Sequence, residues 1–154
     1  MKKKNNVSIP LIIMHASCLF VFFIPFKIEL LFPFIIVYCL NVFTLTAGFH
    51  RYFSHNSFKT SRFFQFILAF LGTMAAQKDP LWWASHHRLH HAHADTELDP
   101  HSAKLKGFWW SHIGWVMKNN ACETRFEKIN DFKKFPELLW LNKYAFSPPI
   151  FLAL

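Results

Sequence analysis

Two long stretches without charged residues lie near the start of this chain, and they limit what it can fold into. Residues 7–26 and residues 30–49 each lack Asp, Glu, Lys and Arg, and only residues 27–29 separate them. At about 1.5 Å per residue, twenty helical residues span about 30 Å, the thickness of a bilayer's hydrocarbon core. The pattern predicts a transmembrane helical hairpin over residues 7–49, in an all-α integral membrane protein.

The first stretch has a competing interpretation as a cleaved signal peptide, because Lys2, Lys3 and Lys4 precede it. It is longer than a usual signal-peptide apolar region, however, and no small-x-small cleavage site precedes Lys27. Basic residues also follow the second stretch within residues 51–62, so the positive-inside rule places both hairpin ends in the cytoplasm. Residues 1–6 are therefore predicted to be a cytoplasmic N-terminus.

The remaining chain divides by composition. Residues 63–76 are apolar but too short for a typical span, which favours an interfacial helix. The surrounding residues 50–144 are polar, aromatic and rich in histidine, and we expect them to form a cytoplasmic region. Residues 145–154 are apolar again, and we interpret them as the start of a third, truncated transmembrane helix. The net charge of +8 is interpreted as a topology and membrane-surface signal, not as nucleic-acid binding.

Histidine is the residue type that points to chemistry. His87, His90 and His91 fall within a wedge about 100° wide on one face of a helix. Three imidazoles on one face gain little from packing together, so a bound metal is the simplest explanation, and neutral imidazole suits iron, zinc, copper and nickel. His86 and His93 point away from the centre of this wedge and are treated as non-ligands.

A second pair, His50 and His55, follows the second apolar stretch. In an α-helix these rings would stand about 140° apart. They could share one small site if the helix broke there, or each could bind a different metal of a pair. If a helix at residues 63–76 crossed the membrane, His55 and His87 would lie on opposite sides and could not bind one metal centre. A shared site therefore agrees with an interfacial position for that segment.

The histidine segments and their neighbours resemble the first two histidine boxes of membrane acyl-CoA desaturases of the Δ9 type. The resemblance runs from about residue 30 to the C-terminus, and its motifs occur in the family's order at residues 48–55, 83–91, 95–102, 107–115 and 135–142.

This resemblance implies a non-haem di-iron centre that uses O₂ and two electrons to place a cis double bond in a saturated acyl chain. It implies an external electron donor resembling cytochrome b5 or ferredoxin, and a membrane-bound enzyme with its histidine boxes on the cytoplasmic side. Gln77 and Trp83 match positions that line the family's acyl tunnel. The family's iron ligands fall on His50, His55, His87, His90 and His91.

The chain also departs from the family's pattern. The family's third histidine box is absent, so five histidines must be an incomplete ligand set, and we expect residues 1–154 alone to be inactive. Ser85 and His86 replace an Arg-Asp pair that contacts the CoA head group in animal members. Acyl-CoA, acyl carrier protein and lipid-bound acyl chains therefore all remain open as substrates.

Several alternatives stay open at this point. Asp95, Asp99 and His101 could orient the ligating imidazoles, or they could form an ordinary polar turn. The protein could instead be a related membrane di-metal hydroxylase or ketolase, or a fragment without enzymatic activity. Iron is favoured over zinc only by the resemblance.

Overall fold

The computed structural model describes residues 8–118, 121 and 123–154, and every regular element within these ranges is helical, as predicted. The α-helices are α1 (Ser8–Ser17), α2 (Leu31–Phe43), α3 (Arg62–Thr73), α4 (Pro80–His93), α5 (Ala103–Lys106), α6 (Trp115–Met117), α7 (Pro136–Lys143) and α8 (Ser147–Ala153). Segments of 3₁₀-helix lie at Cys18–Phe23, Ile28–Leu30 and Phe126–Lys128, and π-helix lies at Thr44–Ser54 and Trp110–Gly114.

One continuous helix, Ile28–Ser54, is long and apolar enough to cross a membrane. Its apolar side chains are largely exposed, as shown by Phe32 at 73%. The first apolar stretch forms α1 and a 3₁₀ segment instead of one long helix, and its apolar helical part, Leu11–Phe23, is shorter than a span. The second arm of the predicted hairpin is therefore a long apolar helix, while the hairpin itself stays a prediction.

The long helix widens to π geometry before it ends. The hydroxyl groups of Thr44 and Thr46 donate to the carbonyls of Leu40 and Val42, four residues earlier, at 2.8 and 2.6 Å. Such back-bonding competes with the helical ladder and bends helices. Near the other end, the Ser54 hydroxyl donates to the Phe49 carbonyl, five residues earlier, at 2.7 Å. Side-chain hydroxyls thus lie at both ends of the wide segment.

Helices α3 and α4 begin at side-chain caps. Ser61 accepts a hydrogen bond from the amide of Phe64 at 3.2 Å, and Asp79 accepts from the amides of Leu81 and Trp82 at 2.9 and 3.1 Å. These bonds satisfy amides that have no partner within the helix. The cap at Asp79 therefore fixes the start of α4, whose later residues carry three of the candidate metal ligands.

The buried core lies between the π-helix, α3, α4 and α7. Its buried apolar members are Phe49, Tyr52, Phe53, Leu68, Ala69, Leu81, Ala84, Ile129, Phe132, Leu138 and Leu141. Helix α3 packs one face into this core and leaves Phe63 76% exposed, and the interfacial position of residues 63–76 stays a prediction. Phe151 of α8 contacts Phe70 of α3, with ring centroids 6.1 Å apart, and the interpretation of residues 145–154 as a third span stays a prediction.

Candidate metal centre

The pitch of the π-helix brings His50 and His55 together. A π-helix forms i→i+5 hydrogen bonds and has about 4.4 residues per turn, so residues five apart stand only about 50° apart. The amide of His55 donates to the carbonyl of His50 at 3.2 Å, and the Nε2 atoms of the two rings are also 3.2 Å apart. The helix does not break between them. It widens into a π-helix, which brings the two rings together without the break that the sequence predicted as one possibility.

Helix α4 supplies the other two rings of this group. His87 and His91 are four residues apart, and their ring centroids are 4.5 Å apart. The Nε2 atom of His87 lies 3.1 Å from Nε2 of His55. We call His50, His55, His87 and His91 the four-histidine cluster, and one ring nitrogen from each lies within 4.8 Å of the others.

Two distances in this cluster fit a metal ion. Nitrogens bound to one tetrahedral metal at about 2.0–2.1 Å are about 3.3 Å apart, close to the Nε2 separations of 3.2 Å between His50 and His55 and 3.1 Å between His55 and His87. Burial and the neighbouring imidazoles, His91 first among them, lower the pKa of His87 to about 3. Burial, followed by His50 and His91, also lowers the pKa of His55. Neutral imidazole is the form that binds metal, so the residues present suit the ion.

His90 faces a different partner. Its Nδ1 lies 2.9 Å from Oδ1 of Asp99, a side chain with no exposed surface. Asp99 also accepts hydrogen bonds from the amides of Asp95 and His101, both at 3.0 Å. The His101 ring stacks on His90 with centroids 4.2 Å apart. We call His90, Asp99 and His101 the carboxylate cluster, whose ligand-type atoms also lie close enough together to hold a metal.

The protonation of Asp99 decides what the carboxylate cluster can do. Burial alone would raise the pKa of Asp99, but hydrogen bonds from His90 and two backbone amides outweigh it and hold that pKa at about 2. An ionised carboxylate only accepts hydrogen bonds, so Nδ1 of His90 must carry the proton. With its proton on Nδ1, the neutral His90 ring would offer its Nε2 lone pair to a metal, an arrangement common for metal-bound histidines.

The remaining predicted site residues occupy different positions. The carboxylate of Asp95 accepts a hydrogen bond from the Ser102 hydroxyl at 2.8 Å, so Asp95 supports the turn that carries Asp99. Trp83 stacks on His87 with ring centroids 4.6 Å apart and also lies against His50. Gln77 is exposed in the turn before α4. Trp83 thus borders the four-histidine cluster, and the substrate role of both Trp83 and Gln77 stays a prediction.

The two histidines treated as non-ligands lie outside both clusters. His86 is buried, its Nδ1 lies 3.0 Å from the Trp82 carbonyl, and its ring lies against the Trp82 indole with centroids 4.5 Å apart. His93 lies at the end of α4 and belongs to neither group of candidate ligands among the described residues.

Sequence reasoning missed Arg88 and Asp131, which form an ion pair with a shortest nitrogen–oxygen distance of 2.8 Å beside the four-histidine cluster. The two residues are 43 positions apart, so no spacing connects them. The sequence feature that could have pointed to Arg88 is the position of this charged side chain between two candidate ligands, His87 and His90.

Within the described residues, an all-helical fold brings histidines from two adjacent helices together into a candidate metal site, and comparison with known proteins identifies the family. The fatty acid desaturase family profile matches residues 28–152, and the chain belongs to that family.

Three relatives illustrate the match. The sn-1 stearoyl-lipid 9-desaturase of Anabaena variabilis is 44% identical over 103 residues, which are 65% of this chain and 37% of the relative. An acyl-CoA C20 Delta5-desaturase of Anemone leveillei is 39% identical over 106 residues, 69% of this chain and 33% of the relative. The sn-2 palmitoyl-lipid 9-desaturase of Nostoc sp. is 39% identical over 105 residues, 65% of this chain and 36% of the relative. The chain thus spans about a third of the length of these relatives.

Proposed function

We propose that this protein is an oxidoreductase of lipid metabolism that desaturates fatty acyl chains. The observation that carries the proposal is the four-histidine cluster, which a member of the fatty acid desaturase family builds from two separate helices. In the reaction, two hydrogens leave adjacent carbons of a saturated chain. With O₂, two electrons and two protons, the products are a cis alkene and two waters.

The metal centre of this proposal is a pair of non-haem irons. His50, His55, His87 and His91 would hold one ion, and Nε2 of His90 would supply a donor to the second. The iron pair, when bound, supplies the O₂ chemistry that breaks unactivated C–H bonds. The protein's own contribution is to fix five imidazoles in place, with Asp99 holding the proton of His90 on Nδ1.

The proposed substrate is a long saturated acyl chain, desaturated at the Δ9 position. Trp83, stacked on His87, would form an apolar wall beside the reacting carbons, and Gln77 would lie further along the tunnel. Related proteins include both stearoyl-lipid and acyl-CoA desaturases, so the proposal covers acyl thioesters and lipid-bound chains. Electrons would come from an external donor resembling cytochrome b5 or ferredoxin.

The proposed topology is multi-pass, with the histidine boxes on the cytoplasmic face. The long apolar helix Ile28–Ser54 and the exposed apolar face of α3 support membrane association. Labelling of single cysteines introduced near Lys59 and Lys118 tests this arrangement. Both positions should react from the cytoplasmic side, and reaction from opposite sides would contradict a shared metal site.

The activity test uses the natural gene product in a host without the corresponding desaturase. Membranes receive iron, O₂ and an electron donor, with stearoyl-CoA in one arm and a stearoyl-lipid in the other. We expect a cis monounsaturated product that disappears with His87→Ala and persists with His93→Ala. An alcohol in place of the alkene would instead identify a hydroxylase, and no product in either arm would overturn the proposal.

A further inference from the structure

Arg88 connects the two elements that carry the four-histidine cluster. It lies on α4 directly after His87, and its guanidinium reaches the C-terminal end of the π-helix. Its Nη2 donates to the Phe53 carbonyl at 2.6 Å, and its Nε donates to the Ser54 carbonyl at 2.9 Å. Ser54 directly precedes His55, so these two bonds hold the backbone next to a candidate ligand.

The carbonyls at this helix end need a partner from outside the helix. The last carbonyls of a helix have no partner within it. The carbonyls of His50, Arg51 and Tyr52 accept hydrogen bonds from the amides of the following turn. Those of Phe53 and Ser54 accept from Arg88 instead, and a cation at a helix C-terminus is also favoured by the helix dipole.

The remaining N–H groups of the Arg88 guanidinium donate to Lys128 and Asp131. Nη1 donates to the Lys128 carbonyl and to Oδ1 of Asp131, both at 2.9 Å, and Nη2 donates to Oδ2 of Asp131 at 2.8 Å. Together with the bonds to Phe53 and Ser54, these contacts use all the N–H groups of an arginine. Asn56 donates to Asp131 at 3.0 Å, which fixes the carboxylate as well.

We propose that Arg88, held by Asp131, is a positioning residue that sets the separation of His55 from His87 and His91 and so fixes the geometry of the metal site. Lysine cannot replace it, because an ammonium group offers three donors from one point while the site needs a planar fork. This proposal deepens the proposed function and rests on the four-histidine cluster being a metal site.

A second arginine–carboxylate pair provides the matched control. Arg62 donates to both carboxylate oxygens of Glu137 at 2.7 Å, but its side chain is 62% exposed, against 21% for Arg88. Arg62 lies at the start of α3, and its guanidinium contacts Glu137 and the Phe135 ring. The substitution Arg62→Lys therefore removes the same kind of bidentate pair without touching the site.

The test measures binding of Co²⁺ to the whole chain in detergent or lipid discs, with the visible absorption bands of bound Co²⁺ as a report on ligand geometry. Arg88→Lys should weaken Co²⁺ binding about 10- to 100-fold, the usual effect of losing a group that orients metal ligands, and should change the bands. Arg62→Lys should leave affinity and bands unchanged. Far-UV circular dichroism should show equal helix content in both variants.

Asp131→Asn keeps the proposal testable if Arg88→Lys fails to fold. It leaves the guanidinium and its carbonyl bonds in place but removes the charge that holds it, and we expect an affinity loss of about threefold to tenfold. Wild-type affinity and bands in both variants would overturn the proposal.

A further variant separates this failure from failure of the proposed function. His55→Ala should weaken Co²⁺ binding at least as much as Arg88→Lys. If His55→Ala weakens binding and both Arg88→Lys and Asp131→Asn match the wild type, only the positioning role is wrong. If the wild type binds no Co²⁺, or His55→Ala matches it, the metal site itself is wrong and both proposals fall.

Discussion

The two histidine clusters both use residues of α4, but they differ in the chemical groups that they bring together. The four-histidine cluster contains imidazoles alone, with Nε2 atoms 3.1 and 3.2 Å apart that point at one another. The carboxylate cluster centres on a buried Asp99 whose oxygens already accept three hydrogen bonds. In the four-histidine cluster the ring nitrogens converge on one another, whereas in the carboxylate cluster Asp99 holds Nδ1 of His90 and leaves its Nε2 as the possible donor. We therefore expect Asp99 to act by orienting His90.

The largest expected effect separates ligands from non-ligands. His87→Ala removes a donor at the centre of the four-histidine cluster, and we expect loss of bound metal and of desaturation. His86→Ala should retain the metal, because the His86 ring contacts the Trp82 indole and carbonyl instead. Metal content by inductively coupled plasma mass spectrometry checks both variants. If His86 proves as necessary for metal as His87, the assignment of the cluster is wrong.

The next effect tests the orienting role of the carboxylate cluster. Asp99→Asn places an amide where an ionised carboxylate now accepts from His90, so the ring loses its fixed tautomer. Changes to such partners usually cost about 10- to 100-fold in metal affinity, and we expect that loss here.

Asp95→Asn provides the control for this substitution, because Asp95 contacts the turn and not a candidate ligand. We expect less than about a threefold change, on the order of the net contribution of one hydrogen bond. Equal losses for the two variants, in a metal titration at constant pH, would show that the turn as a whole is needed and that Asp99 has no special role.

A smaller expected effect concerns stability, and it tests the core packing that supports the four-histidine cluster but not the carboxylate cluster. A Cβ added at Gly72 would lie 2.5 Å from the ring of Phe49, which is fully buried and adjacent to His50. Gly72→Ala should therefore lower the free energy of unfolding by about 1–3 kcal/mol, as expected for overpacking. It should also disturb the four-histidine cluster while leaving the contact between His90 and Asp99 intact.

Gly48→Ala is the matched control, since its added Cβ would meet Leu68 at 3.4 Å, an ordinary contact. Denaturant unfolding of both variants measures the difference in stability. The packing argument is wrong if Gly48→Ala destabilises the protein as much as Gly72→Ala does.

The most gradual effect is a pH dependence of stability that differs between the clusters and is spread over several pH units. The pKa of His87 falls from 6.5 to about 3 on folding, so the unfolded state binds more protons between these values. The metal-free protein should therefore lose stability as pH falls from about 6.5 towards 3. The pKa of Asp99 falls from 3.8 to about 2, so its stabilisation is present above 3.8 and is lost as pH falls through about 2.

Unfolding of the metal-free protein in the presence of a chelator, measured across this pH range, checks both windows. His87→Ala should flatten the dependence between pH 6.5 and 3, and Asp99→Asn should flatten it only below about 4. The reverse pattern would contradict the assigned protonation states.

The sequence predicted the helical class, the apolar second arm and the shared helix face of His87, His90 and His91, because these follow from composition and from α-helical periodicity. It could not predict that His90 turns to Asp99 while His87 and His91 turn to His50 and His55. That division depends on a turn in which Asp95 adopts a φ of 59°, and on helices brought together by the core. Arg88 and Asp131 were missed for the same reason, since their partners are distant in the chain.

The π-helix between Thr44 and Ser54 has a consequence for how histidine motifs are recognised. Two histidines with three residues between them share a face of an ordinary α-helix, and here a fourth intervening residue is absorbed as a change of pitch. The number of residues between two histidines that share a helix face therefore indicates whether the local helix is α or π. In a designed scaffold with α-helical periodicity, the same sequence would place His55 away from the other three rings and the four-histidine cluster would not form. A motif search that assumes α-helical spacing would miss this pair for the same reason.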